Sequence, residues 1–339
     1  MSQKLDTSYG SDEHGMVWGY LFAPDQPARL ITSEETLEVL ASPDSRNKGE
    51  FLWLHFSLSN SSSRAWMQRN LNLPEGYYES LNSNAGSTRV EQDEESLVAV
   101  INDVLFDFTL DSSAISSTSL CIDQYCLISA RLRPLRSIDH LRAAVRANKI
   151  FRSPSELLAQ LLQDQAHVLV DILRQSTARV DQIEDQLLAN RVSINRSQLG
   201  SLRRVLVRLQ RLLAPEPAAL FRLLNRPPDW FTEDDIQDLR QAAEEFSAAV
   251  GDSTALVERV KLLQEELTAL VYEQTNRTLF VLTVVTVLAL PINLTTGLFG
   301  MNVGGIPLAG DKGGFYLILV ILVVLTVVLA YVTLIRKRD

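Results

Sequence analysis

Polar side chains recur within one long apolar segment near the C-terminal end of this 339-residue chain. The segment 279–299 contains no Asp, Glu, Lys, Arg or His, yet it carries several threonines and an asparagine. At about 100° per residue, one helical stripe collects seven residues of this segment and of the turn before it. These residues, called the path stripe below, are Asn276, Leu279, Thr283, Thr286, Leu290, Asn293 and Gly297.

The composition of the path stripe suits contact with a hydrated ion. Hydroxyl and amide groups can hydrogen-bond water around an ion, while rings of leucine between them would narrow the path and could gate it by dewetting. Polar groups in a span are costly unless they meet one another or water. The alternative is that Thr and Asn hydrogen-bond neighbouring helices and that Gly297 is a close-packing point.

A second uncharged segment, 315–335, follows the first after a short connection, 300–314. A bilayer core needs about 20 apolar residues per helix, so both segments are predicted to span a membrane. The second span holds few polar atoms and should face lipid, whereas 279–299 should line the pore. Because two helices cannot enclose a polar path, conduction would require a homo-oligomer.

The charge distribution predicts the topology. The chain has a net charge of −9, made up of −11 on residues 1–278 and +2 on the C-terminal part. Basic residues flank the spans at Arg277 and in the tail 336–339, so both termini are predicted to be cytoplasmic. The polar N-terminus predicts no cleavable signal peptide, and the acidic balance argues against a nucleic-acid partner.

The remaining sequence predicts an α+β cytoplasmic domain joined to an α-helical membrane domain. Residues 1–15 are predicted to be a disordered tail, 16–150 a mixed α/β domain, and 151–278 a domain of long helices. The last helix of this domain should start at Thr232 and continue through the first span to Phe299. Predicted strands are 16–22, 51–58, 87–92, 96–106 and 124–132; predicted helices are 34–40, 63–71 and 74–81; Ser-rich loops are predicted at 57–63 and 112–119.

Other residues capable of chemistry are few. Cys121 and Cys126 would point to opposite faces of one strand-like stretch, in a reducing compartment that disfavours a disulfide. Glu258 and Glu265 extend the helical phase of the path stripe and could form an acidic vestibule that concentrates cations, or they could be solvated surface residues. No nucleophile paired with a base and no phosphate-binding loop is present, so an enzyme is not predicted.

The most specific stretch follows the first span. Gly300-Met301-Asn302, placed before a short loop, a second span and a basic tail, resembles the Gly-Met-Asn signature of the CorA superfamily of divalent-cation transporters. The segments 296–300 and 304–307 are similar to those of the ZntB zinc-transporter branch. Magnesium-type members usually carry a Met-Pro-Glu-Leu loop here, which this chain lacks, so Asp311 is the only candidate for an acidic external ring.

The resemblance implies a funnel-shaped homopentamer in the cell inner membrane, with the long helix as stalk and inner pore wall. It implies that Asn302, held by the turn of Gly300 and Met301, forms a polar ring at the external mouth. It also implies Zn²⁺ as transported substrate rather than cofactor, with Cd²⁺, Ni²⁺ or Co²⁺ accepted, and it suggests proton-coupled import. The sequence contains no tight metal site in the spans. A Mg²⁺/Co²⁺ channel, and a sensor or scaffold tethered to the membrane, remain open.

Overall fold

A computed structural model describes residues 10–42, 49–82, 88–93, 95–106, 115–188, 196–301, 303–305, 307 and 313–335. It divides into two compact units, Met1–Leu263 and Gln264–Asp339. Most of the predicted tail 1–15 and all of the basic tail 336–339 lie outside the described residues. The described end of the first tail forms a turn, in which Asp12 Oδ1 accepts the backbone N–H of His14 and of Met16 at 2.9 and 2.8 Å.

The first unit is built on a seven-stranded sheet in the order β2-β1-β3-β7-β6-β5-β4. Strands β3 and β7 pair in parallel, and all other neighbours pair antiparallel. The strands are β1 Met16–Phe22, β2 Arg29–Ile31, β3 Phe51–Ser57, β4 Arg89–Asp93, β5 Ser96–Val104, β6 Ile115–Ile122 and β7 Cys126–Arg131.

Helices cover both faces of this sheet. Trp66, Met67 and Tyr77 pack on one face, and Phe151 meets Phe22 edge-on at the other, with ring centroids 6.0 Å apart. The helices are α1 Ser33–Ala41, α2 Ser62–Asn70, α3 Glu75–Ser80, α4 Arg136–Arg146, α5 Pro154–Leu188, α6 Arg196–Leu213, α7 Pro215–Asn225, α8 Glu233–Phe299 and α9 Gly314–Ile335.

The structure confirms the prediction of a long helix that continues into an apolar C-terminal part. Helix α8 has 67 residues and remains helical through Pro291. It begins with a reciprocal cap: Thr232 Oγ1 accepts the N–H of Asp235 at 3.1 Å, and the Asp235 carboxylate accepts the N–H of Thr232 at 3.0 Å. The acidic first turn is therefore a helix start.

Strand β6 corrects the prediction of a serine-rich loop at 112–119. Residues 115–119 belong to a strand between β5 and β7, and most of its side chains are buried. Pairing on both sides overrides the weak strand propensity of serine, which is a tertiary effect that composition does not reveal. Strand β2 and helix α4 were also not predicted.

The cysteines correct a second prediction. Cys121 ends up on β6 and Cys126 on β7, because a turn at Asp123 separates them; its Oδ1 accepts the N–H of Tyr125 and of Cys126, each at 2.7 Å. Both thiols are free and buried in one core cluster, so they do not point to opposite faces. Burial raises the pKa of Cys121 to about 12, which keeps this thiol protonated.

A buried carboxyl group joins the helices of the first unit to its sheet. Glu216, on α7, is 1% exposed. Its Oε1 accepts the backbone N–H of Asn102 at 2.6 Å and the hydroxyl of Thr88 at 3.3 Å, while Oε2 accepts Gln165 Nε2 at 2.7 Å. Desolvation raises the pKa of Glu216 from 4.5 to about 8, and the nearby Asp103 has a pKa raised to about 7 for the same reason.

These raised pKa values predict how stability depends on pH. The folded chain holds the Glu216 proton more tightly than the unfolded chain, so the free energy of unfolding should fall as pH rises from about 4.5 to about 8. Glu216→Gln should reduce that fall by about 1 kcal/mol per pH unit, the part contributed by Asp103 remaining. Denaturant unfolding of the full chain in detergent, followed across this pH range, measures the difference.

The exposed Glu244, on α8, supplies a matched control for this experiment. Glu244→Gln should leave the pH dependence of unfolding unchanged. Equal pH dependence in the wild-type chain and in Glu216→Gln would show that Glu216 does not hold its proton more tightly in the folded state.

Candidate ion path

Two described helices, α8 and α9, are long and apolar enough to cross a membrane. Their most apolar 18-residue windows have mean hydropathy 2.1 and 3.0. In the single chain, each member of the path stripe is exposed. Leu279 and Leu290 have exposed fractions of 54% and 65%. Because side chains that face lipid are exposed as well, the shielded side of each helix is more informative.

A stripe of half-buried residues runs along each helix of this hairpin. On α8 it contains Phe280, Val284, Val287, Leu288, Pro291 and Thr295, with the half-buried Ala289 outside it; on α9 it contains Ile318, Leu322, Thr326, Leu329 and Ala330. We infer that the two helices pack along these stripes. At about 100° per residue, the centre of the shielded stripe on α8 lies about 120° from that of the path stripe. The path stripe is therefore free to meet water or another copy of the chain.

The threonine hydroxyls of the path stripe are oriented by their own helix. Thr283 Oγ1 donates to the carbonyl of Leu279 at 2.8 Å, and Thr286 Oγ1 donates to the carbonyl of Leu282 at 2.9 Å. Each hydroxyl therefore uses its only hydrogen within the helix and presents oxygen lone pairs outward. Waters bound to a cation point their hydrogens away from the ion. An outward-facing acceptor therefore suits the shell of a hydrated cation.

The asparagines of the path stripe differ from its threonines in their hydrogen bonding. The exposed amides of Asn276 and Asn293 make no side-chain hydrogen bond within the described residues. Asn293 lies inside the apolar segment, where an amide needs a partner. Water in a pore, or a neighbouring copy of the chain, would supply one. The geometry of one chain allows both interpretations of these polar residues, a water-filled path and hydrogen bonding between neighbouring helices.

The start of the Gly-Met-Asn motif ends helix α8. The N–H of Gly300 donates to the carbonyl of Thr296 at 2.9 Å, and that of Met301 donates to the carbonyl of Leu298 at 3.4 Å. A Cβ on Gly300 would lie 2.9 Å from Thr296 O, so glycine allows this close turn. The side chain of Met301 is 51% exposed. Asn302, predicted as the polar ring, lies outside the described residues.

Two of the acidic residues predicted to gather cations lie on helix α8. Glu258 and Glu265 are both exposed on α8, and Glu258 Oε2 pairs with Lys261 Nζ at 3.3 Å. This ion pair is itself exposed, so it leaves the carboxylate accessible to water. Asp311 lies outside the described residues.

Within the ranges that the structure describes, no three His, Cys, Asp or Glu side chains are grouped to hold a metal ion. His55 illustrates why a histidine alone is a poor indicator. It is fully buried, and both ring nitrogens are occupied, by Ser129 Oγ at 2.7 Å and by Arg131 Nε at 2.7 Å. Burial, together with the charge of Arg131, holds the pKa of His55 well below its ordinary value, so the ring is neutral and structural.

Sequence reasoning missed the buried Glu216. Its partners Asn102 and Gln165 are 114 and 51 residues away along the chain, and a glutamate at the start of a helix is common on a surface. No pattern local to residue 216 indicates that the fold would bury it. Thr295, a polar residue of the segment 279–299, lies on the shielded stripe, and its Oγ1 donates to the carbonyl of Pro291 at 2.8 Å.

Known proteins share this architecture. Residues 48–337 match the family model described as CorA-like Mg²⁺ transporter protein. The divalent cation transporter CmaX of Pseudomonas aeruginosa is 29% identical over 311 residues, covering 90% of this chain and 91% of the relative. The zinc transport protein ZntB of Pectobacterium atrosepticum is 25% identical over 289 residues, covering 84% and 87%. The structure of full-length CmaX superimposes with a TM-score of 0.78 at 26% identity, covering 97% of this chain and all of that one.

The family match covers most of the chain, including the sheet, the long helix and both apolar helices. The relatives are transporters by name, and the two described helices that are long and apolar enough to cross a membrane fit that class. The chain belongs to the family of CorA-like Mg²⁺ transporter proteins and is a divalent-cation transporter of that family.

Proposed function

We propose that this chain moves Zn²⁺, and related divalent ions such as Cd²⁺, Ni²⁺ and Co²⁺, through a central pore lined by the path stripe of α8. The observation that carries the proposal is the run of exposed hydroxyl and amide groups, with leucines between them, on the side of an apolar helix turned away from α9. Lipid would leave these groups without water, whereas a pore would hydrate them.

Several features support passage as a hydrated ion. The path stripe contains no carboxylate, thiol or imidazole that could strip a divalent ion of its water. Its threonines present acceptor oxygens outward, which match the outward hydrogens of a hydration shell. Asn302 would add a ring of amides at the external mouth. Selectivity among divalent ions of similar hydrated size would then be modest.

The choice of zinc rests on the local sequence and on the named relatives. Residues 296–300 and 304–307 resemble the ZntB branch, several of whose members are named zinc transport proteins. We further propose import, driven by a proton gradient, from the same likeness. Transport of Mg²⁺ or Co²⁺ is the second candidate, and the family description favours it.

The assembly we propose is a homopentamer in the inner membrane with both termini cytoplasmic. Two apolar helices per chain cannot surround a polar path, so several copies must contribute one path stripe each. The positions of Arg277 and the basic tail 336–339 support the orientation. Glu258 and Glu265 would then gather cations on the cytoplasmic side, and Asp311 would be the acidic residue on the other side.

The nature of the cargo is tested by flux into liposomes that contain the purified chain. We expect Zn²⁺ flux to exceed Mg²⁺ flux, and an inward proton gradient to increase Zn²⁺ uptake. Protein-free liposomes are the control. Mg²⁺ flux greater than Zn²⁺ flux would contradict the zinc assignment, and Zn²⁺ uptake that ignores the gradient would contradict proton coupling.

The path itself is tested by the same substitution on two helices. Thr286 and Thr326 each donate a hydroxyl to a carbonyl four residues earlier, at 2.9 and 2.7 Å, but only Thr286 belongs to the path stripe. Thr286→Val should reduce Zn²⁺ flux by about tenfold, the effect of about 1.4 kcal/mol at a barrier. Thr326→Val should change flux little. Equal effects of the two substitutions would contradict the assignment of the path.

The amides test whether the spans conduct or only tether the protein. Asn302→Ala should alter flux and ion selectivity, and Asn293→Leu should reduce flux because it replaces a wet ring by an apolar one. A membrane-tethered sensor would tolerate both changes. Native mass measurement of each variant shows whether the assembly is intact and tests the proposed pentamer, which any other subunit number would contradict.

A further inference from the structure

A cavity of about 420 Å³ opens in the first unit. Its walls come from the N-terminal end of α2, the C-terminal end of α3, and strands β6 and β7. This volume falls within the range of small-molecule sites, about 300–1,000 Å³. The ion path does not account for it.

Small side chains on one sheet face create the cavity. Ser117 and Ser119 lie on the same face of β6, and Ser119 pairs directly with Ala130 of β7. Farther under α2 and α3, the large side chains of Trp66 and Tyr77 fill the space above the same sheet. The serines that made this stretch look like a loop therefore leave room beside the core.

Arg64 gives the cavity a positive charge. Arg64 is the one charged residue among those described that line it, and within the described part of the chain it makes no ion pair. Its Nη2 donates to Asn82 Oδ1 at 2.8 Å, which orients the guanidinium. Arg64 also lies in the first turn of the nine-residue helix α2, where the helix dipole adds positive potential.

A hydroxyl in the cavity wall is available to a ligand. Ser119 is 5% exposed and lines the cavity, and among the described residues its Oγ makes no hydrogen bond. Thr118, its neighbour on the other face of β6, donates instead to the carbonyl of Ala130 at 3.0 Å.

We propose that this cavity binds a small molecule that carries a phosphate group. Arg64 would supply the charge and a planar pair of donors, and Ser117 and Ser119 would donate hydroxyl hydrogens to phosphate oxygens. Leu58 and Leu132 also line the cavity, and Leu132 is 58% exposed, which offers an apolar surface to the rest of the ligand. An organic phosphate such as a mononucleotide should therefore bind more tightly than inorganic phosphate.

Isothermal titration calorimetry on the full-length protein in detergent tests this site with inorganic phosphate, AMP and uncharged adenosine. We expect AMP to bind more tightly than phosphate, and adenosine to bind weakest. Arg64→Gln, which keeps a hydrogen-bonding group for Asn82 but removes the charge, should weaken AMP binding by about tenfold or more. The matched control is Arg69→Gln on the exposed side of the same helix, which should bind AMP as the wild-type chain does.

Ser119→Ala separates a loss of binding from a loss of folding. It removes a hydroxyl that has no partner among the described residues, so the fold should be unaffected. This variant should melt at the wild-type temperature without ligand and should bind AMP several-fold more weakly. Absence of measurable binding by phosphate and AMP would overturn the proposal. Equal weakening by Arg64→Gln and Arg69→Gln would do so too, because it would indicate general attraction of anions to basic residues.

Discussion

A polar side chain within an apolar helix must find a hydrogen-bond partner, and this constraint governs the C-terminal part of the chain. The threonines of α8 meet it in part by donating to their own backbone. The amide of Asn293 has no such solution within the described residues of one chain. This need for water or for another copy of the chain is the reason for proposing an assembly with a water-filled interior.

The half-buried stripe of α8 shows which side of the helix is already shielded. Because α8 is half-buried along Val284, Val287 and Pro291, the polar side of the helix is left for a different neighbour. Glycine at position 300 then lets the chain turn close to the carbonyl of Thr296 at the end of the helix. Helix packing, hydroxyl orientation and the helix end are thus all consistent with the proposal that the path stripe of α8 faces the ion.

The sequence predicted those features whose cause is local. The apolar runs and the helix start at Thr232 depend on neighbouring residues, and α8 begins within one residue of its predicted start. Strand β6 was missed because its serines are held by pairing with β5 and β7, and the two cysteines were misplaced because one turn separates them. Glu216 and the Arg64 cavity depend on residues far apart in the chain, so no local pattern could predict them.

The most direct test of the account is whether water reaches the path stripe. Cys121 and Cys126 are buried in the first unit, so a thiol introduced into α8 can be probed with a membrane-impermeant thiol reagent after the background has been measured in the wild-type chain. The account predicts that Thr286→Cys in liposomes reacts readily, loses ion flux on reaction, and is protected by Zn²⁺, while Thr326→Cys on α9 reacts little. Equal reactivity at the two positions, or no reaction at position 286, would contradict it.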